Sequence, residues 1–255
     1  MNKSNKRAAL VSGSAIRLGK AIAIALAKTG FDIALHYHSS KEAAQKTAEE
    51  IRAIGVDCEL FQLNLRKAEE MPAFLKTIKN QMPHLRVLIN SASAYTQATI
   101  SNTTTAIFDQ QFDVNIRAPF FMTQAFAQEV DQGEVINIID NKIAFNQNKY
   151  AAYLLAKKTL VELTKMAAIE FAPQLRVNGV APGVVLPAST RSQEYIDWRI
   201  QGIPLQMQGS TKHITDAILS LLNNPFITGQ ILAVDGGESL SNTGRNAGDF
   251  DQSKI

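Results

Sequence analysis

Ala8-Ala9-Leu10-Val11-Ser12-Gly13-Ser14-Ala15-Ile16-Arg17-Leu18-Gly19, followed by Lys20-Ala21-Ile22-Ala23-Ile24-Ala25-Leu26-Ala27-Lys28, decides the fold. Four consecutive apolar residues suit a strand covered on both faces. After Gly19 the pattern becomes that of a helix, closed by Lys28. Gly13 permits the turn between the two, and Gly19 lets backbone approach closely where the helix begins. The same alternation continues along the chain. Short apolar runs at 8–11, 33–35, 59–63, 87–89, 135–139, 176–180 and 231–234 read as strands. Segments of helical period lie between them at 19–28, 41–54, 69–81, 106–129, 150–171 and 211–222. Strand and helix in strict alternation give right-handed βαβ units. The expected architecture is therefore a single-domain α/β fold, a doubly wound parallel sheet flanked by helices, with ligands beyond the carboxyl ends of the strands.

Two stretches fit this alternation poorly. Residues 183–208 are too long for a bare connection, so they are expected to carry a short helix near 192–201 and to cover a site. Residues 241–255 are polar and read as a frayed tail, which leaves 1–240 as the domain. Composition excludes other classes. With 45% apolar side chains among 255 residues, the chain buries a substantial core. Lys+Arg 26 against Asp+Glu 23 gives +3, too even for a nucleic-acid arm or a polybasic membrane patch. No apolar run approaches the ~20 residues of a membrane span, and no signal-peptide segment precedes Gly13. A cytoplasmic protein is expected. Cys58 is the one cysteine, so there is no intrachain disulfide or thiolate cluster, and four scattered histidines without ligand spacing give no metal site. His84 reads as a loop residue, His213 as the start of a helix and Cys58 as a small hydrophobe. Asn102-Thr103-Thr104 matches a glycosylation acceptor only formally.

Two constellations carry chemistry. Free N–H groups where the first helix starts can hold a pyrophosphate, and Arg17, standing where a dinucleotide loop often has its middle glycine, can add a forked cation. After the second strand comes Leu35-His36-Tyr37-His38-Ser39-Ser40-Lys41, with no acid until Glu42. A carboxylate there would receive ribose hydroxyls, whereas imidazoles, hydroxyls and a cation suit a 2′-phosphate, so NADPH is expected rather than NADH. His36 and His38 could also simply end a strand. Second, Tyr153 and Lys157 are spaced i, i+4 on one helix face, where an ammonium would lower a phenol pKa toward use in proton transfer. Tyr37 and Lys41 show the same spacing but straddle a strand end, so position and not spacing singles out Tyr153. Asp140 ends the preceding strand and can converge on it.

The assembled pattern resembles the short-chain dehydrogenase/reductase family. It rests on Ser12-Gly13 through Gly19, Asn90-Ser91-Ala92-Ser93, Asn115, Tyr153-x-x-x-Lys157, Pro182-Gly183 and the closing Gly229 to Gly237. The resemblance implies a Rossmann-type sheet of about seven strands, an NAD(P) hydride carrier and a homotetramer. It makes Tyr153 the acid and Lys157 its tuner and the ligand of the nicotinamide ribose, with Asn115 supporting a water-linked proton path. By the same similarity the cofactor is expected along Gly13, Arg17, Leu18, Gly19, His36 to Ser40, Asn64, Leu65, Asn90 to Ser93, Tyr153, Lys157, Pro182, Gly183 and Val185. Arg17, His36-Tyr37-His38 and Asp140 in place of the usual serine look like the pteridine reductases and the dihydromonapterin reductases. That likeness gives the 2′-phosphate to His38, Ser39 and Ser40, and a pteridine or folate substrate to Arg17, Ser93, Tyr95, Asp140, Tyr153, Leu186 and Trp198. A carboxyl group beside a phenol suits a nitrogen heterocycle, which must gain a proton on nitrogen. Two rivals remain at this level: a carbonyl or 3-oxoacyl-thioester reductase on the same scaffold, and a non-catalytic NADPH-binding sensor.

Overall fold

The computed structural model describes residues 6–186 and 191–241. Part of the 183–208 excursion and the 242–255 tail lie outside the described residues. Seven parallel strands form one sheet in the order β3-β2-β1-β4-β5-β6-β7. They are β1 (Arg7–Val11), β2 (Phe31–Tyr37), β3 (Cys58–Gln62), β4 (Leu85–Asn90), β5 (Gly133–Ile138), β6 (Leu175–Pro182) and β7 (Ile231–Val234). The chain reverses direction across the sheet between β1 and β4, which opens a crevice at their carboxyl ends.

Helices cover both faces, and successive residues of β1 show why its sequence is apolar throughout. Ala9 and Val11 join one core, with Ile22 and Leu26 of α1 (Arg17–Lys28), Ile51 of α2 (Lys41–Arg52) and Ile218 of α8 (Thr211–Asn223). Ala8 and Leu10 join the other, with Leu75 and Ile78 of α3 (Met71–Gln81) and Met122 and Phe126 of α5 (Ala118–Glu129). A strand buried on both sides cannot alternate with polar residues. Among the described residues, no helix is long and apolar enough to cross a membrane.

The single helix expected over 106–129 is instead interrupted. Residues Thr105–Phe112 form α4, Asp113–Arg117 widen into a π turn, and α5 follows. Pro119 supplies a physical reason: it has no N–H to return to the carbonyl of residue 115, so the α-helical ladder is broken there. Asn115 lies fully buried at the break. The remaining helices are α6 (Ala151–Glu170) and α7 (Gln193–Ile200), the short helix anticipated in the excursion. His213 sits in the first turn of α8 and closes a reciprocal cap with Ser210. His84 Nε2 donates to the carboxylate of buried Asp32 at 2.8 Å and is therefore more than a plain loop residue.

Candidate active site

A cleft of about 710 Å³ follows the carboxyl edge of the sheet. Its floor is the turn between β1 and α1. Gly13 has φ +66°, and a Cβ there would lie 2.9 Å from Ala92 Cα. A Cβ on Gly19 would sit only 2.3 Å from the Gly13 carbonyl oxygen. Both glycines therefore keep the turn folded tightly against the loop after β4, and Ser12 Oγ ties the two together by accepting from Ser91 N–H at 2.9 Å and Ala92 N–H at 3.1 Å. Arg17 opens α1 with φ +53°, a left-handed conformation that disfavours side chains. Its guanidinium crosses the cleft to donate to the Leu186 carbonyl at 2.6 Å. Leu18, Ser93, Tyr153, Lys157, Pro182, Gly183 and Val185 also line this cleft. The turn thus presents the unpaired N–H groups of a helix start, and the absent side chains leave a cradle into which a phosphate fits.

Beyond β2, Tyr37, His38, Ser39 and Ser40 line the far end of the cleft, together with Asn64, Leu65 and Arg66. Arg66 has no place in the sequence-level expectation; it is held by Asp113 at 3.2 Å. Asn64 spends its Oδ1 on the Arg66 N–H at 3.1 Å. His36 also lines the cleft, and the correction concerns its charge. It is buried, its Nδ1 accepts from Gly13 N–H at 3.0 Å, and its Nε2 faces the Leu63 carbonyl at 3.0 Å. Those partners require the neutral Nε2–H tautomer, and burial pushes the imidazole pKa down to about 4. His36 therefore props the glycine turn from beneath and offers no charge to a phosphate. The unfolded chain takes up this proton near pH ~6.5 and the folded chain refuses it until about 4, so stability is lost as the pH drops through that window. His36→Gln can keep both hydrogen bonds without titrating. Chemical denaturation from pH 7 to 4.5 should show a flatter decline for the variant; identical slopes would contradict this role.

Asn90 is a second correction. It is buried and donates to Asn137 Oδ1 at 2.8 Å, and Asn137 in turn donates to Thr164 Oγ1 at 2.9 Å. This network joins β4, β5 and α6 inside the protein, so Asn90 does not line the cleft.

At the middle of the edge, Tyr153 Oη donates to Asp140 Oδ2 at 2.6 Å. Asp140 is fixed from its other oxygen, which accepts the Lys142 N–H at 2.9 Å. Asp140 follows β5, and Tyr153 lies in the first turn of α6, whose one face also carries Lys157. Lys157 Nζ does not reach the phenol: it donates to the Ile138 carbonyl at 2.8 Å and stands 5.9 Å from the Tyr153 ring centre. Burial, then the Asp140 charge, raise the Tyr153 pKa well above its usual value. The net shift is upward, opposite to the lowering that the resemblance implies, and its leading causes are burial and Asp140. Burial also lowers Lys157 to about 8. Asn115 is likewise spent on structure. Its Oδ1 accepts from Ser93 Oγ at 2.8 Å and Ala94 N–H at 3.2 Å, and its Nδ2 donates to the Ala94 carbonyl at 2.8 Å. It holds the loop that carries Ser93 and Tyr95.

A second cavity, about 390 Å³, opens beside Asp140 and Tyr153. Arg17, Ser93, Tyr95 and Leu186 line it as expected. Tyr95 is half-exposed, stacks on Tyr150 with ring centres 4.6 Å apart, and meets Tyr153 edge-on at 4.7 Å. Trp198 is absent from the wall. Tyr195, one turn earlier on α7, takes that place, with Trp198 behind it at 6.3 Å between ring centres. Sequence reading also missed Asn141, Lys142, Arg191 and Arg199, which belong to the same wall.

Residues 13–239 match the family described as Enoyl-(Acyl carrier protein) reductase. The chain is 31% identical over 245 residues to the 3-oxoacyl-[acyl-carrier-protein] reductase FabG of Staphylococcus epidermidis, covering 93% of this chain and 99% of that one. Among solved structures it resembles the FolM alternative dihydrofolate reductase 1 from Brucella suis in complex with NADP, with TM-score 0.87 and 28% identity over 96% of this chain and 98% of that one. It also resembles the acetoin dehydrogenase YohF from Salmonella typhimurium, with TM-score 0.85 and 30% identity over 93% and 99%. With a matching family profile across nearly its whole length and the glycine turn, Tyr153 and Lys157 in one cleft, the chain belongs to the short-chain dehydrogenase/reductase family of oxidoreductases.

Proposed function

We propose that the protein is an NADPH-dependent reductase of pteridines, acting on a ring carbon–nitrogen double bond. The observation that carries this reading is the 2.6 Å hydrogen bond from Tyr153 to Asp140 at the junction of the two cavities. The long cleft suits a dinucleotide: the glycine cradle would hold the pyrophosphate, Lys157 the nicotinamide ribose, and His38, Ser39 and Ser40 the 2′-phosphate. The solved relative in complex with NADP supports this choice. When bound, the cofactor supplies the hydride.

The chain's own residues supply the proton. Burial and the neighbouring Asp140 charge keep Tyr153 protonated, a weak acid matched to the strongly basic nitrogen left as a C=N bond is reduced. Asp140 accepts that phenol's hydrogen bond in the resting state and can accept from the ring's amino groups. A carboxylate at this position repels the oxyanion that forms in carbonyl reduction, whereas a hydroxyl would stabilise it. Tyr95 offers an aromatic face for the ring, held by its own stacking on Tyr150. Asn115 acts as a positioning residue through the 93–95 loop.

A second reading, reduction of a 3-oxoacyl thioester, is favoured by the reductases of that name among the relatives. Steady-state oxidation of NADPH with dihydrobiopterin, dihydrofolate and an acetoacetyl thioester separates the two. At least one pteridine should show kcat/KM about tenfold or more above the thioester, and the opposite order would favour the second reading. We further propose a homotetramer, supported by apolar side chains left exposed on α5 and α6, including Phe120, Met166 and Ile169. Sedimentation should give four copies per particle.

A further inference from the structure

We propose that the substrate cavity reads an anionic group on its ligand, through Lys142, Arg191 and the free edge of Arg199. This rests on the pteridine reading for the ring that is reduced, and goes beyond it by specifying what that ring carries. The wall of the cavity holds Arg17, Lys142, Arg191 and Arg199 against a single acid, Asp140, among the described residues. Arg17 is committed to the Leu186 carbonyl at 2.6 Å. Among the described residues, Lys142 and Arg191 have no ion pair, and Arg199 has one on a single nitrogen, with Glu238. Lys142 Nζ donates to Tyr95 Oη at 2.5 Å and lies over the Tyr95 and Tyr150 rings, 4.8 Å and 4.9 Å from their centres. The Arg191 guanidinium lies over the Tyr195 ring at 4.6 Å. Aromatic faces hold these cations in place without neutralising them.

Arg199 is the sharpest sign of a missing partner. Its side chain is only 4% exposed, and its Nη2 pairs with Glu238 at 2.7 Å. Its Nη1 is buried and has no hydrogen-bond partner among the described residues. An unsatisfied buried donor on a charged group is costly, and an incoming acceptor would recover that cost. A carboxylate or phosphate would meet that N–H and the two neighbouring cations together, in a setting where burial makes charge-assisted bonds strong. Glu238 cannot serve: its other oxygen already accepts from Asn141 Nδ2 at 2.8 Å. A neutral pteridine leaves the three groups unmatched, whereas one with an acidic tail satisfies them.

Titration calorimetry on the NADP⁺-loaded protein tests this without turnover. The probe is p-aminobenzoyl-glutamate, a carboxylate tail without a pteridine ring, and its diethyl ester is the uncharged control. The acid should bind and the ester should not, and Lys142→Gln and Arg191→Gln should each weaken the acid at least fivefold. Arg199 is left intact because its buried pair supports the fold. Absence of acid binding, or binding indifferent to both substitutions, overturns the proposal. Inorganic phosphate binding with the same sensitivity supports the anion reader and assigns it to a phosphate-bearing ligand. In turnover, the ratio of kcat/KM for dihydrofolate to that for neutral dihydrobiopterin should fall about tenfold in each variant. A purely structural effect would lower both substrates together and leave the ratio unchanged, which counts against the proposal. Should neither pteridine be reduced while the acid still binds as expected, the pteridine reading fails and the anion reader stands.

Discussion

Tyr153→Phe should lower kcat for dihydropterin reduction by about 10²–10⁴-fold while leaving NADPH affinity within about threefold, the usual scale for loss of a positioned proton donor. Phenylalanine keeps the ring against Tyr95 and removes only the hydroxyl that donates to Asp140 at 2.6 Å. Stopped-flow single turnovers with NADPH fluorescence for binding would separate the two effects. The pH profile adds a sign. Because burial and Asp140 raise the phenol well above its usual value, ionisation of Tyr153 does not limit the rate below pH ~9. Any alkaline fall near pH 8 belongs to Lys157, whose burial lowers it to about 8. The residual activity of Tyr153→Phe should keep that fall. Loss of the fall together with the hydroxyl would mean that the lysine does tune the phenol.

Glu238→Ala should produce the largest loss of stability outside the sheet core. It strips the partner from the Arg199 guanidinium, buried at 2.7 Å from Glu238, and leaves Asn141 Nδ2 only its longer bond to Asp235 at 3.4 Å. Breaking a buried pair by removing one member costs about 3–5 kcal/mol, because the remaining charge is uncompensated. For a chain of this size that corresponds to a Tm drop on the order of 10 °C. Replacing both partners, Glu238→Ala with Arg199→Met, should recover part of the loss, since no charge is then stranded. A double variant as unstable as the single one would show that packing, not the stranded charge, is what fails. Calorimetry on the three proteins decides between these outcomes.

The sheet was legible because its signals are local. Ala8 to Val11 can only be a strand covered on both faces, and Gly13 and Gly19 mark the turn that follows. The break at Asn115 was missed although Pro119 stood four residues on, because the periodicity of the apolar residues continues across it. Site residues were legible by position along the chain but not by direction. His36 and Tyr37 adjoin at the end of β2, yet His36 turns inward to Gly13 and Leu63. Asn90 ends β4 and also turns inward, toward Asn137. Trp198 stood out by its place in the 183–208 excursion, but Tyr195 of the same helix lines the wall. Lys142, Arg191 and Arg199 were invisible as a group because they come from the turn after β5, a loop and α7, and only the fold brings them together. Lys157 shows the limit of spacing as a guide. The i, i+4 relation placed it on the right face, but its ammonium chose a carbonyl over the phenol.

The most direct test of the claim that Tyr153, held by Asp140, protonates ring nitrogen is Asp140→Ser. The quantity to measure is the ratio of kcat/KM for dihydrobiopterin to that for an acetoacetyl thioester, in the wild type and in the variant, with NADPH affinity determined alongside. A serine hydroxyl can donate to a carbonyl oxygen, but it accepts the phenol's bond without a carboxylate's charge. The account predicts a fall in that ratio of about 10²-fold or more, on the scale of a lost proton-transfer partner, with NADPH affinity little changed. A ratio that stays the same, or that rises, would contradict it.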